Sequence, residues 1–154
     1  MAHFTWIEEN ILAASSCPSV EELADLRGVG ISAIVTLTED SLEVKTGMPE
    51  SELIAMGFTL LHAPIIDYHA PDETAANRVI KFVDQMKAAG KPVLIHCQAG
   101  QERTGTLLHV YYLSSGFTLK EASTRIRAVR PQSAFEKLMP VQQVFLQAFA
   151  GKLR

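Results

Sequence analysis

The sequence predicts an α/β fold with a central, mostly parallel sheet flanked by helices. Short apolar runs of strand length alternate with helical segments along the chain, which is the order found in layered α/β proteins. Two of these runs, residues 31–37 and 93–96, are almost continuously apolar, as expected for strands that are covered on both faces. A loop that follows a central strand of such a sheet lies where these folds place their anion sites.

Strands are predicted at residues 4–7, 11–13, 31–37, 58–65 and 93–96. The first two are short and flank a turn, and the fourth alternates between apolar and polar positions. Two capping boxes, Ser19 with Glu22 and Thr118 with Glu121, open helices that end near residues 28 and 129. Further helices are predicted at residues 49–56, 71–90, 103–115 and 134–150, with a polar loop before the first. Pro140 either breaks the last helix or starts its main body.

Composition places the 154 residues in one globular domain spanning residues 1–154. The net charge of −3 gives no basic surface for nucleic acid or an anionic membrane, and no apolar run is long enough to span a bilayer. Cys17 and Cys97 form neither a disulfide framework nor a zinc pattern. We expect a cytoplasmic protein, because a reactive cysteine thiolate needs a reducing compartment. We also expect it to be a monomer. Arg125, Arg127 and Arg130 are interpreted as a solvated or salt-bridged helix face.

Residues 96–105, His-Cys-Gln-Ala-Gly-Gln-Glu-Arg-Thr-Gly, carry the most specific chemistry of the chain. They place Cys97 at the end of a predicted strand, in a loop that closes on a helix N-terminus. Inward-facing N–H groups and the helix dipole form a site for a dianion there. The same field stabilises a thiolate and lowers a cysteine pKa from about 8.5 to about 3.5–7.5. Arg103 can hold two phosphate oxygens side by side, which a lysine cannot do.

Three further residues are expected to assist. A phosphate monoester needs its leaving oxygen protonated, and Asp67 and Asp72 are the candidate acids. Asp67 is favoured because it directly follows a strand, at the sheet edge where Cys97 is expected, whereas Asp72 opens a helix and has a capping role available. The Thr104 hydroxyl could help to expel the sulfur from a phosphoenzyme, or it merely caps the helix. His96 could hydrogen-bond around the loop and hold the environment of Cys97.

The segment matches His-Cys-x-x-Gly-x-x-Arg-Thr-Gly, the signature of the cysteine-dependent protein phosphatases. The whole chain resembles the small atypical dual-specificity phosphatases, notably at residues 4–6, 35–39, 64–67 and 126–131. The resemblance implies a protein-tyrosine-phosphatase-like fold and a reaction without metal or other cofactor. It implies that Cys97 attacks phosphorus, that Asp67 acts as acid and then as base, and that Thr104 helps in breakdown of the cysteinyl phosphate. The residues implied in phosphate binding are Gln98, Ala99, Gly100, Gln101, Glu102 and Arg103.

The resemblance implies that the substrate is a phosphorylated protein or peptide. The chain lacks the Asn-Arg-Tyr-type recognition loop that makes a deep pocket in the large tyrosine-specific relatives. It resembles members with a shallow cleft, which accept phosphotyrosine and, variably, phosphoserine or phosphothreonine. Two alternatives remain open: a phosphatase for phosphoinositides or small phosphates, and a phosphate-binding adaptor without turnover. Glu102 disfavours the first, since a carboxylate about 7 Å from a second phosphate repels it by roughly 0.6–2.4 kcal/mol. A sulfurtransferase is disfavoured because Arg103 suits phosphate better.

Overall fold

Within residues 3–153, which the computed structural model describes, one sheet contains five strands. They are β1 (Thr5–Glu8), β2 (Leu12–Ser15), β3 (Ala33–Thr36), β4 (Thr59–His62) and β5 (Val93–His96). Their order across the sheet is β1-β2-β5-β3-β4. β1 is antiparallel to β2, and every other neighbouring pair is parallel. The predicted α/β fold with a mostly parallel sheet is therefore confirmed, with β5 at its centre.

The parallel strands end in register. His96, the last residue of β5, pairs with Ser15 of β2 and with Thr36 of β3. Thr36 in turn pairs with His62, the last residue of β4. The segments that leave these strands therefore emerge along one edge of the sheet, and the segment that begins at Cys97 emerges in the middle.

Seven α-helices lie within the described residues. They are α1 (Val20–Gly28), α2 (Leu42–Thr46), α3 (Glu50–Ala55), α4 (Glu73–Ala88), α5 (Glu102–Ser114), α6 (Leu119–Val129) and α7 (Pro140–Lys152). Both predicted capping boxes form, at the starts of α1 and α6. The prediction of a polar loop before residue 49 misses α2, a five-residue helix capped by Ser41. The predicted helix 134–150 is wrong before Pro140, where a 3₁₀ turn, Phe135–Lys137, precedes α7.

The core lies on both faces of the sheet. On one face α4, α5, α6 and α7 cover the sheet, and on the other α1 and α3 do. The central helix α5 is buried from Arg103 to Leu113, so its first turn is fixed by packing on all sides. None of the described helices is long and apolar enough to span a membrane.

Candidate active site

Cys97 lies at the bottom of a cleft at the carboxyl edge of the sheet. Its side chain is 3% exposed, and it lines a cavity of about 270 Å³ together with residues on both sides of the opening. Thr104, in the first turn of α5, donates a hydrogen bond from Oγ1 to the Cys97 Sγ over 3.1 Å. A hydroxyl in this position stabilises negative charge on the sulfur.

The carbonyl groups of the loop that follows Cys97 are bound by groups outside the cleft. Cys17 N donates to the Gln98 oxygen over 3.0 Å, and Gly105 N donates to the Gln101 oxygen over 2.8 Å. The Gly100 oxygen accepts from Arg130 Nη2 over 2.7 Å. Since the C=O and N–H of one trans peptide point in opposite directions, these bonds turn the following amides, those of residues 99, 101 and 102, toward the cavity.

Gly100 is required where the loop passes the end of β2. Its φ is +72°, and a Cβ built on it would lie 2.4 Å from the Ser15 carbonyl oxygen. A side chain at this position would both strain the backbone and strike it. The close approach of the two segments therefore fixes the curvature of the loop.

His96 joins the loop to the neighbouring strand. It is fully buried, with Nδ1 3.1 Å from the Cys97 carbonyl oxygen and Nε2 2.8 Å from Thr36 Oγ1. Because a carbonyl can only accept, the proton is assigned to Nδ1, and Nε2 accepts from the Thr36 hydroxyl. Burial lowers the pKa of His96 to about 4, so the ring is neutral near pH 7 and joins the start of the loop to β3 through these two hydrogen bonds.

Arg103 is buried beneath three acceptors from other segments. Its Nη1 donates to Glu39 Oε1 over 2.7 Å and to the Ile65 carbonyl over 3.0 Å. Its Nη2 lies 3.4 Å from Asp67 Oδ1. The contact with Asp67 is the longest of the three, so it is the one that a bound phosphate can replace at the smallest cost.

The structure places the two candidate acids in different settings. Asp67 lines the cavity beside Cys97 and Arg103, and its side chain is 47% exposed. Asp72 caps α4, where its Oδ1 accepts a hydrogen bond from Ala75 N over 2.7 Å. The geometry therefore brings Asp67, and not Asp72, to the cleft.

Glu39 belongs to this site although the sequence reasoning gave it no role. Its Oε2 accepts a hydrogen bond from Asp67 N over 3.2 Å while its Oε1 binds Arg103. Hydrogen bonds from its own amide and from that of Asp67 lower the pKa of Glu39, and Arg103 adds to the effect. A carboxylate three residues past the end of β3, the strand beside β5, was the signal that could have identified it.

The interpretation of Arg130 as part of a solvated or salt-bridged face is wrong. Arg127 does pair with Glu136 over 2.8 Å on the surface, and Arg125 lies over the Phe117 ring at 4.5 Å. Arg130 is instead fully buried behind the Cys97 loop. Only the Pro131 that follows it hinted that residue 130 leaves the helical face, since a residue before proline is pushed out of the helical conformation.

A second chamber of about 290 Å³ adjoins the cleft and shares Asp67, Gln98 and Arg103 with it. The carboxylates of Glu39 and Asp40 line this chamber with Lys45, and Glu102 lines the first. The surroundings of Arg103 are therefore richer in negative than in positive side chains. Within the described part of the chain, no group of three or more His, Cys, Asp and Glu side chains is arranged to hold a metal ion.

Known proteins are similar to this chain in sequence and in fold. The chain is 25% identical to the phosphatidylglycerophosphate phosphatase PTPMT2 of Arabidopsis thaliana, over 97% of this chain and 64% of the relative. It is 24% identical to human dual specificity protein phosphatase 12, over 84% of this chain and 37% of the relative. Among solved structures, Tk-PTP in its active form matches with a TM-score of 0.80 and 27% identity, over 98% of this chain and 95% of that one. The chain thus spans less than two thirds of the two sequence relatives.

One protein family matches the part of the sequence that forms most of the sheet and the Cys97 loop. The family of polymorphic toxin system DSP-PTPase phosphatases matches residues 12–117, a segment that includes β2 to β5, α5 and residues 96–105. The chain therefore belongs to the DSP-PTPase phosphatases, a family of cysteine-based phosphoric monoester hydrolases.

Proposed function

We propose that this chain hydrolyses phosphate monoesters through a cysteinyl-phosphate intermediate and that its substrate is phosphotyrosine in a protein or peptide. One observation carries the proposal. The Cys97 sulfur lies at the bottom of a cleft, in a loop whose Gln98, Gly100 and Gln101 carbonyls are bound on the outside, and this turns the amides of residues 99, 101 and 102 toward the cavity. A phosphoryl group has the charge and the number of acceptor oxygens that such a cradle stabilises.

Cys97 is proposed as the nucleophile. Its thiolate attacks phosphorus, the P–O bond to the leaving group breaks, and the phosphoryl oxygens lie against the amides of the loop. Thr104 holds the sulfur through the 3.1 Å hydrogen bond, and it stabilises the thiolate again when water releases phosphate. This step needs no redox partner, because the sulfur is displaced with the electron pair that it donated.

Arg103 and Asp67 are proposed to exchange partners when substrate binds. The guanidinium is held on one side by Glu39 and Ile65, so a phosphate can meet its other side and displace Asp67 from Nη2. The released Asp67 carboxylate takes up a proton from solvent, faces the ester oxygen and donates that proton to the leaving group as the P–O bond breaks. The same carboxylate removes a proton from the water that attacks the cysteinyl phosphate.

The charge around the cleft supports a singly phosphorylated substrate. Glu39, Asp40 and Glu102 surround a phosphate position that has Arg103 and Lys45 as its cations. A second phosphate would meet carboxylates within the same chambers, which disfavours phosphoinositides carrying several phosphates. Tyr68, 60% exposed at the rim, offers a ring against which the aromatic ring of a phosphotyrosine can pack.

A phospholipid with a terminal phosphate monoester is the second candidate. Two exposed apolar side chains, Ile66 at 62% and Tyr68 at 60%, flank Asp67 and could contact acyl chains or an interface. The similarity to a phosphatidylglycerophosphate phosphatase extends over 97% of this chain. The two candidates share the chemistry of Cys97 and differ only in what lies beyond the phosphate.

Phosphate release in EDTA and reductant tests both candidates. We expect turnover of p-nitrophenyl phosphate and of a phosphotyrosine peptide, with a kcat/KM at least about tenfold higher for the peptide than for dispersed phosphatidylglycerophosphate. A higher kcat/KM for the lipid would replace the first candidate by the second. Turnover of neither substrate by folded protein, together with tight binding of the phosphopeptide, would instead support an adaptor without activity.

Cys97→Ser and Cys17→Ser form a matched pair for the nucleophile. Burial raises the pKa of the Cys17 thiol. Its Sγ donates a long hydrogen bond to the carbonyl of the neighbouring Pro18. We expect Cys97→Ser to abolish turnover with the fold intact and Cys17→Ser to retain it. Retention of a tenth of the wild-type activity by Cys97→Ser would overturn the mechanism.

The need for a reduced thiolate also leads us to propose a cytoplasmic location.

A further inference from the structure

Arg130 is a buried cation that the reaction proposed above does not use. It follows the last residue of α6 and is completely inaccessible. Its Nε and Nη2 donate to the Gly100 carbonyl over 3.2 and 2.7 Å. Its Nη1 donates to the His3 carbonyl over 2.6 Å and to Thr5 Oγ1 over 2.7 Å. One side chain thus links the back of the Cys97 loop to the N-terminal strand.

The charge of Arg130 has no carboxylate partner within salt-bridge distance among residues 3–153. Neutral carbonyls and hydroxyls alone leave a buried guanidinium poorly compensated, since burial of a charge is costly unless an opposite charge is near. Burial lowers the pKa of Arg130, and the negative charge of the Cys97 thiolate opposes that shift. The nucleophile is therefore the anion that this cation can stabilise.

We propose that Arg130 is a positioning residue that shapes the phosphate cradle and favours the thiolate of Cys97. It pulls the Gly100 carbonyl to the back of the loop, and this turns the N–H of Gln101, on the same peptide, toward the phosphate. Ser133 acts on the next peptide, because its Oγ lies 3.1 Å from the Gln101 carbonyl, which turns the N–H of Glu102 the same way. The inference rests on the proposed function, since it assigns these amides to a phosphate.

Arg130→Met and Arg130→Lys separate the geometry from the charge. The probes are inorganic phosphate, titrated by calorimetry, and iodoacetamide, whose rate of reaction with Cys97 is followed against pH in a Cys17→Ser background. We expect Arg130→Met to weaken phosphate binding by about tenfold or more and to move the alkylation midpoint up by about one pH unit. Arg130→Lys restores the midpoint because it keeps the charge, but it does not restore phosphate binding because it cannot span Gly100 and Thr5 together.

Two control variants distinguish this role from loss of stability. Ile126→Ala removes a buried side chain from α6, the helix that ends just before Arg130, so it lowers the melting temperature without moving the alkylation midpoint. Arg127→Met removes a surface cation and changes neither readout. An unchanged midpoint and phosphate affinity in folded Arg130→Met would overturn the inference, as would an equal shift in Ile126→Ala.

Ser133→Ala tests the same cradle if Arg130→Met does not fold. It removes one small buried hydroxyl from behind the loop, and we expect about threefold weaker phosphate binding with a smaller fall in the melting temperature than in Ile126→Ala. Unchanged binding in this variant would contradict the positioning role. If the wild-type protein binds phosphate and has a low alkylation midpoint but shows no turnover, only the proposed function fails. The two probes would still measure the effect of Arg130 on the cradle.

Discussion

The loop that carries Cys97 and the segment that carries Asp67 border the same cleft, but they are held in opposite ways. The loop is fixed from behind by buried groups, and both Cys97 and Arg103 are less than 5% exposed. Asp67 is half exposed. Its carboxylate accepts a hydrogen bond from the neighbouring Tyr68 N and pairs with Arg103, and its own amide donates to the exposed carboxylate of Glu39. Stabilisation of charge needs donors that do not reorganise, whereas a proton donor must approach different leaving groups. The difference in burial matches this division of labour.

Gly100→Ala breaks the rigid side of the comparison and has the largest expected effect. The new Cβ would meet the Ser15 carbonyl at 2.4 Å, so the loop must move and several amides leave their positions at once. We expect kcat/KM to fall by about 1000-fold, as when donors to a developing oxyanion are lost. Gly90→Ala is the matched control, because Gly90 has a similar φ of +69° with nothing within 4 Å of an added Cβ. Wild-type kinetics in Gly100→Ala would contradict the role of the close approach.

Asp67→Asn tests the exposed side. Without an acid, turnover should depend on how well the leaving group departs unaided, so we expect kcat to fall by about 100-fold for a phosphotyrosine peptide and much less for a phenol of low pKa. Steady-state kinetics over a series of aryl phosphates measure this slope. Asp72→Asn should leave the slope unchanged and change the melting temperature little, since an asparagine oxygen can still accept the capping hydrogen bond of α4. The steeper slope in Asp72→Asn would mean that the acid is misassigned.

Glu39→Gln tests the link between the two sides. The amide keeps an acceptor for Arg103 but loses the charge that holds Arg103 and the backbone of Asp67 together. We expect kcat/KM to fall by about fivefold and the effect to shrink in the Asp67→Asn background, because both variants disturb one network. Asp40→Asn, in the same chamber, is the control and should change kcat/KM little. Strict additivity of Glu39→Gln and Asp67→Asn would show that the two act separately.

Two buried histidines predict a pH dependence of stability. Burial lowers the pKa of His96 and of His109 to about 4, whereas unfolded histidines titrate near 6.5. Between pH 6.5 and 4 the unfolded chain binds more protons, so stability falls as pH decreases, by about 3 kcal/mol for each histidine. Urea unfolding across this range measures the slope. His109→Met should roughly halve the dependence of the unfolding free energy on pH. An unchanged dependence would mean that other groups take up the protons.

The sequence predicted those parts of the molecule that short-range patterns specify. Residues 93–96 form β5 with the predicted bounds, because a short apolar run before a glycine-containing loop has few other solutions. Both predicted capping boxes form, because each depends on two residues only three positions apart. The resemblance to dual-specificity phosphatases is confirmed by the family match. The catalytic roles of Cys97, Arg103, Asp67 and Thr104 stay predictions, although the structure brings all four to one cleft.

Contacts between residues far apart in the sequence could not be predicted from local sequence patterns. Nothing near residue 130 indicates that its side chain binds Gly100, thirty residues earlier, so a basic residue on a helix was assigned to the surface. Glu39 was missed because its partners, Arg103 and Asp67, come from two other segments. α2 was missed since five residues are too few for a helical period to be visible.

The anchoring of the loop by Arg130 has a consequence for the order of folding. The contacts of Arg130 with His3 and Thr5 join residues 127 and 125 positions apart, so these bonds close only after residue 130 has been synthesised. During synthesis, β5 and the residues that face substrate leave the ribosome before residues 130–133 do. The cradle therefore reaches its final shape late, and we expect loosening of residues 3–5 or 130–133 to weaken phosphate binding before the sheet unfolds.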